Sequence, residues 1–237
     1  MTGQMSGHQH ISGQFERELA DIKSDLLEMG GLVEQQIDLA AEALVQSDSE
    51  LAEAAITLDA EVNDMEIKIN EQCTKIIARR QPTASDLRLI MAIVKLSLDL
   101  ERIGDEASKV ARQVLMLAAD GLPNPTLRHL RPIASHVTTM LNSALDGFAR
   151  MDVNGAMNVI LSDDDINEDY AGVLSDLLAY IREDPEHAES YLGYMWAFRS
   201  LERVGDHACN IAEQVIYLAR GIDVRHQSSS ELRKLLA

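Results

Sequence analysis

The sequence predicts an all-α protein made of two tandem, sequence-related three-helix bundles. Apolar residues recur at helical spacing along almost the whole chain, and no long run alternates with the period of two expected of a half-buried strand. Aromatic residues make up only 4% of the 237 residues, and there are 13 glycines and 5 prolines. This composition is poor for a β-sandwich and favours long helices. An eight-residue motif also occurs once in each half of the chain, which indicates a duplicated unit.

Capping and turn residues divide the first half into three helices. A first helix is expected over about 15–46, and Ser47-Asp48-Ser49 then supplies side chains suited to capping the next one. The second helix should cover about 50–79 and end before the turn that contains Pro82. The third should end where the run Asp120-Gly121-Leu122-Pro123-Asn124-Pro125 combines a glycine with two prolines, which is a strong stop signal.

The second half repeats this plan. A fourth helix is expected over about 126–151, a fifth ending near Arg182 and a sixth ending near Arg220. Asp184-Pro185-Glu186 provides an N-cap, a proline at the first helical position and an acid in the first turn of the sixth helix. Gly221 then marks the end of that helix.

The duplicated motif relates the two halves residue by residue. LERIGDEA at Leu100–Ala107 matches LERVGDHA at Leu201–Ala208 at a constant offset, and upstream Asp59 stands opposite Asp163. We therefore divide the chain into a flexible N-terminus, a first bundle, a second bundle and a C-terminal tail, over residues 1–14, 15–121, 122–225 and 226–237.

Each copy of the motif carries two acids that share one helix face. Glu101 and Asp105 are four residues apart, as are Glu202 and Asp206, and like charges at this spacing destabilise a helix unless a cation lies between them. The glycine inside each copy costs about 1 kcal/mol relative to alanine, which suggests the close approach of another helix or of a bound ion's shell.

An all-oxygen site of this kind suits a hard cation such as Mg²⁺, Ca²⁺, Mn²⁺ or ferric iron. With Asp59 and Asp163 on neighbouring helices, the candidate metal ligands are Asp59, Glu101, Asp105, Asp163, Glu202 and Asp206. Surface ion pairs are the alternative: Lys109 follows Asp105 by four residues, Arg102 precedes Glu106 by four, and Arg199 precedes Glu202 by three.

The histidine and methionine residues of the helices, and the absence of known catalytic motifs, indicate structural rather than catalytic roles. His207 is expected at the surface because it lies off the acidic face, and the methionines, including Met91 and Met116, are expected in the core. The Glu-x-x-His pairs of di-iron bundles, Gly-rich phosphate loops and Gly-x-Ser-x-Gly elbows are absent from the sequence.

The charge balance excludes several classes of partner. A formal net charge of −18 opposes nonspecific binding to nucleic acid and adhesion to an anionic membrane surface. The first residues lack the features of a secretory leader, and no apolar stretch has the length of a membrane span. A cytoplasmic protein that does not insert into the membrane is the expectation.

At several segments the sequence resembles the PhoU family of phosphate-signalling regulators. These segments are HISGQFERELADIK near the start, MGGLVEQQ at 29–36, RRQPTASDLRL at 79–89 and the two motifs LERIGDEA and LERVGDHA. The resemblance implies two three-helix bundles side by side, a cytoplasmic homodimer and a non-enzymatic role. That role is to restrain the phosphate-starvation response when phosphate is plentiful, as an adaptor between the ATPase subunit of the phosphate ABC transporter and the sensor histidine kinase.

The resemblance also bears on the acidic motifs. Some members of the family bind metal clusters through acidic x-x-x-Asp motifs, and the matching positions here are Glu101, Asp105, Glu202 and Asp206. Two alternatives to the adaptor remain: a metal-dependent enzyme that uses the paired carboxylates, and a purely structural helical scaffold.

Overall fold

The computed structural model describes residues 5–119, 130–225, 227 and 231–232, with side chains described from residue 13 onward. Six long helices account for nearly all of them. They are α1 (Met5–Gln46), α2 (Ser49–Arg80), α3 (Ala84–Ala119), α4 (Leu130–Arg150), α5 (Val153–Glu183) and α6 (Ala188–Arg220). Described residues contain no strand, so the predicted all-α class is confirmed.

Most helix ends lie where the local sequence predicts them. Asp48 caps α2, because its Oδ1 accepts hydrogen bonds from the backbone N–H groups of Glu50 at 2.8 Å and Leu51 at 3.2 Å. Gly221 ends α6 with a φ of 72°, a left-handed conformation that favours glycine. The predicted stop at 120–125 lies outside the described residues. At the N-terminal side, α1 already begins at Met5, so residues 5–14 belong to a helix.

The start of the sixth helix differs from the prediction. Residues Pro185–His187 form a separate 3₁₀ turn, and α6 begins at Ala188. Asp184 makes no side-chain capping bond; its Oδ2 lies 2.5 Å from Nδ1 of His187 instead. The carboxylate of Asp184 therefore contacts the ring of His187 and does not cap the helix.

The helices form two units that match the two halves of the sequence. Helices α1, α2 and α3 pack on one another, as do α4, α5 and α6, and the two units meet through α3 with α6 and α1 with α4. Each helix turns an apolar stripe inward, and the buried side chains of both units join into one continuous core. The outer helices α2 and α5 contact helices of their own unit only, as far as the described residues show.

The central pair α3 and α6 is antiparallel. Asp99 of α3 meets His207 of α6, Glu106 meets Arg203, and Gln113 lies beside Gly193. The contacting residues of α6 therefore decrease in residue number as those of α3 increase. Because equivalent residues of a duplicated sequence occupy the two helices, the repeats are related by an approximate twofold axis between them.

Candidate functional site: two carboxylate clusters

The first cluster, Asp59, Glu66, Glu101 and Asp105, lies between α2 and α3. Burial raises the pKa of Glu101, and the negative charges of Asp105, Glu66 and Asp59 raise it further, against the opposing effect of Arg102. The structure therefore places Asp59 where the sequence predicted it, near the acidic pair of the motif. Glu66 is an additional member from α2, two helical turns beyond Asp59.

The second cluster, Asp163, Glu202 and Asp206, occupies the equivalent place between α5 and α6. Burial raises the pKa of Asp163 and that of Glu202, and the charge of Asp206 adds to both effects. The side-chain amide of Asn167 donates to Asp163 at 3.1 Å, which lowers that pKa in part. Both halves of the chain thus hold mutually repelling acids at one matching position.

Glu202 is the most constrained carboxylate of the second cluster. Its side chain is 9% exposed, and Arg199 donates to its Oε1 at 2.5 Å. Its other oxygen, Oε2, is buried and has no hydrogen-bond partner within the described part of the chain. A buried acceptor without a partner costs about 1–3 kcal/mol, so the fold tolerates an unsatisfied group at this point.

The motif glycines allow close helix packing beneath each cluster. A Cβ added at Gly104 would lie 2.9 Å from Oε1 of Gln36 and 3.3 Å from Cγ1 of Val62, and one added at Gly205 would lie 3.0 Å from Cδ1 of Ile166. Neighbouring side chains fill the space that a methyl group would need. The close approach of another helix, one of the two explanations proposed for these glycines, is confirmed.

Gln36 is a central residue that the motif analysis missed. It is fully buried on α1, and its Nε2 donates to the carbonyl of Gly104 and to Oγ of Ser108, both at 3.1 Å, and to Oδ1 of Asp59 at 3.4 Å. One amide thereby links all three helices of the first repeat. The available signal was a glutamine on the otherwise apolar inner stripe of α1.

The predicted surface ion pairs form only in part. Arg199 pairs with Glu202 as expected, but Lys109 pairs with Glu106 at 3.0 Å rather than with Asp105. Arg203 of the other repeat, rather than the expected Arg102, reaches the same Glu106 oxygen, at 2.9 Å. Ion pairs with described residues therefore leave Asp105 uncompensated, and Glu106 emerges as a buried link between repeats.

The expectation of a surface His207 is wrong. Its side chain is 10% exposed at the α3–α6 contact, and its Nδ1 lies 3.1 Å from Oδ1 of Asp99. The amide of Asn210 donates to the same Asp99 oxygen at 3.2 Å. His207 occupies the motif position that Glu106 holds in the first copy, and both side chains turn toward the opposite repeat.

The expected burial of Met91 and Met116 is also wrong: these side chains are 45% and 62% exposed. Trp196 is 58% exposed as well, although Tyr191 and Tyr194 of the same helix are buried. Helical periodicity alone does not distinguish an inner apolar stripe from a second, outward one.

The clusters supply oxygen donors but not a ready-made metal centre. Across the described residues, no group of three or more His, Cys, Asp or Glu side chains is arranged so that it could hold a metal ion. Within that same part of the chain, every helix also lacks an apolar stretch of the length that crossing a bilayer requires. The metal ligands predicted from the sequence stay a prediction.

A two-repeat helical protein with a duplicated acidic motif matches one family of known proteins. The family described as PhoU domain matches residues 26–114 and again residues 130–215, one match in each repeat. The chain belongs to the PhoU family.

Relatives and solved structures agree over nearly the full length. The PhoU homolog of Pseudomonas aeruginosa, a phosphate-specific transport system accessory protein, is 49% identical over 95% of this chain and 93% of its own. The corresponding protein of Escherichia coli K12 is 44% identical over 97% and 95%. The crystal structure of PhoU from Pseudomonas aeruginosa covers 88% of this chain and all of its own, with a TM-score of 0.85 and 50% identity.

A more distant crystal structure shows the same architecture. It is that of the phosphate transport system regulatory protein PhoU from Streptococcus pneumoniae, with a TM-score of 0.81 and 28% identity over 89% of this chain and 99% of its own. The names of these relatives describe accessory or regulatory proteins rather than enzymes, in agreement with the expected non-enzymatic role. A role in the regulation of phosphate transport follows from the family.

Proposed function

We propose that this protein is a cytoplasmic adaptor that represses the phosphate-starvation response and adjusts phosphate uptake. It would bind the ATPase subunit of the phosphate ABC transporter and the sensor histidine kinase, and act as a homodimer. The observation that carries this proposal is the match of both repeats, with both acidic motifs, to the PhoU family. The relatives' names connect that family with phosphate transport.

The two-repeat architecture supports an adaptor. An adaptor transmits a signal only if it binds the alternative states of its partners with different affinity. A pseudo-twofold pair of repeats offers two similar but chemically distinct surfaces, because exposed Lys95 in one repeat corresponds to exposed Trp196 in the other. Divergence between the repeats would let one chain recognise two different proteins.

Deletion of the gene tests the proposal. A reporter driven by a phosphate-starvation promoter should become active in phosphate-rich medium, and a plasmid copy of the intact gene should silence it again. A reporter that stays silent in the deletion strain would show that the protein does not repress this response.

We also propose that each carboxylate cluster takes up a hard cation. Glu101 and Asp105 would hold it in the first repeat, with Asp59, and Glu202 and Asp206 in the second, with Asp163. The unpaired Oε2 of Glu202 and the raised pKa values of Glu101 and Asp163 support this, because a cation would relieve both the missing contact and the repulsion. The bound cation would neutralise the negative charge of the carboxylates.

Thermal unfolding with added Mn²⁺ or Mg²⁺ tests the second proposal. A ligand that binds the folded state at 100 times its Kd stabilises that state by about 2.7 kcal/mol, which raises the melting temperature. The increase should shrink in Glu202→Gln and persist in Asp165→Asn, a change at an exposed acid of α5. A melting temperature that does not respond to either ion would contradict it.

A further inference from the structure

The solvent-facing side of the α3–α6 pair has an unusual composition for so acidic a protein. Its exposed apolar side chains are Met91, Leu98, Met116, Leu192 and Trp196. Its exposed basic side chains are Lys95, Arg102, Lys109, Arg112, Arg199 and Arg203. We refer to these eleven residues as the α3–α6 band; six of the chain's 21 basic residues thus lie on one face of two helices.

The pairing of the helices places both halves of the band on the same side of the molecule. On α3 the band follows one stripe at spacings of three or four residues, interrupted by Asp105 between Arg102 and Lys109. On α6 it follows the equivalent stripe of the duplicated sequence, which continues to the exposed Asp206. A twofold axis between two antiparallel helices keeps equivalent stripes on the same side of the pair where these stripes face along the axis. Glu106 shows this directly, since Lys109 of α3 and Arg203 of α6 both reach its Oε1.

The band presents positive charge although three of its cations have acidic partners. Glu106 and Glu202, which pair with Lys109, Arg203 and Arg199, have side chains only 3% and 9% exposed. An approaching molecule therefore meets ammonium and guanidinium groups rather than their carboxylates. Arg112 is exposed and has no ion pair with any described residue, which leaves its charge available.

The apolar members lie among these charges. Trp196 is 58% exposed and Leu192, one helical turn earlier, is 41% exposed, so the two form a contiguous apolar patch on α6. Large exposed aromatic side chains are unfavourable in water, and tryptophan and arginine are the residues most often found to dominate protein interfaces.

We propose that the α3–α6 band is a docking surface for an acidic amphipathic helix of a partner protein. Such a helix would place apolar side chains on Trp196 and Leu192 and carboxylates against Arg112 and its neighbours. This inference rests on the proposed adaptor function, because it assigns a recognition surface to it. An anionic bilayer is a poorer occupant, since the carboxylate clusters flank the band on both sides and the whole chain carries −18.

Binding of single-residue variants tests the surface. The probes are the purified ATPase subunit of the phosphate transporter and the soluble cytoplasmic portion of the sensor kinase, each titrated against the full chain by calorimetry. Trp196→Ala and Arg112→Glu should each weaken binding to at least one probe by more than about tenfold, and high salt should weaken the wild-type complex.

Matched controls remove the same kind of side chain elsewhere. Leu178→Ala deletes an apolar side chain that is 53% exposed on α5, and Lys75→Glu reverses a charge that is 58% exposed on α2. Both should change the affinity by less than about twofold, because exposed contacts outside an interface are energetically near neutral. Circular dichroism melts confirm that all four variants fold.

The possible results separate this inference from the adaptor proposal. If the wild-type chain binds a probe and the band variants bind equally well, the band is rejected and the adaptor stands. If the wild-type chain binds neither probe, both are rejected. If only the band variants fail to sediment with phosphatidylglycerol vesicles, the surface binds a membrane. If only the band variants lose the dimer in ultracentrifugation, the surface binds a second copy of the chain. Either result would overturn the inference.

Discussion

Adding one methyl group at Gly104 tests whether the motif glycine is required by helix packing. Alanine is better than glycine inside a helix by about 1 kcal/mol, so Gly104→Ala would stabilise the protein if space allowed. The added Cβ would lie 2.9 Å from Oε1 of Gln36 and 3.3 Å from Cγ1 of Val62. Gln36 is fully buried, and its amide donates hydrogen bonds to groups on two other helices, so it cannot move away without loss.

Overpacking of this kind costs about 1–3 kcal/mol. Set against the helix gain of about 1 kcal/mol, Gly104→Ala should lower the stability by up to about 2 kcal/mol. Gly31→Ala provides the control, because a Cβ at that exposed helical glycine meets nothing within 4 Å. It should raise the stability by up to about 1 kcal/mol, or the melting temperature by about 2–4 °C.

Urea unfolding followed by circular dichroism measures both variants under the same conditions. The decisive quantity is the difference between them, which should amount to at least about 1 kcal/mol in favour of Gly31→Ala. If Gly104→Ala stabilised the protein as much as Gly31→Ala, the packing explanation of the repeated glycine would be wrong.

Three further changes probe the clusters and the contact between repeats. Asp163→Asn should stabilise the protein at pH 7, because a carboxyl whose pKa is raised by folding destabilises the fold when it is ionised. The gain should vanish as the pH falls to the unfolded pKa near 3.8, where the carboxyl becomes protonated in both states. Urea unfolding at several pH values, with the exposed Asp165→Asn as control, measures this gain. Asp99→Ala should destabilise the protein by about 1–3 kcal/mol, because it removes the carboxylate oxygen that the buried His207 ring and the Asn210 amide both contact. Unfolding titrations of the variant and of the unchanged protein would measure this loss. Burial raises the pKa of the Cys73 thiol to about 11, so at pH 8 it should react with a thiol reagent only after unfolding, as a colorimetric assay would record.

Two results would contradict these expectations. An equal effect of Asp163→Asn at pH 7 and pH 4 would show that burial of charge is not its cause. Rapid reaction of Cys73 in the folded protein would show that the core between α2 and its neighbours opens readily.

Much of the fold was predictable because helix formation depends on local signals. Apolar spacing predicted six helices, and Asp48 and Gly221 marked ends that the structure confirms. The duplication predicted that Asp59 and Asp163 would lie beside the acidic pairs, since homologous repeats place equivalent residues alike.

The remaining features depend on residues far apart in the chain. His207, predicted at the surface, is buried because α3 of the first repeat covers it and supplies Asp99. Glu106 pairs across the repeats with Arg203, and Gln36 joins three helices through one amide. A helical pattern shows which residues share a face, but it does not show which face another helix will cover.

The sequence by itself therefore determined the six helices, their repetition and the acidic motif in each half, because these follow from spacing and from comparison of the chain with itself. Only the tertiary structure decided that α3 and α6 pair antiparallel. That pairing buries one polar stripe of each helix, with Asp99, Glu106 and His207, and leaves the band containing Trp196 exposed. The physical reason is that burial is a property of two surfaces in contact, and a single helix contains only one of them.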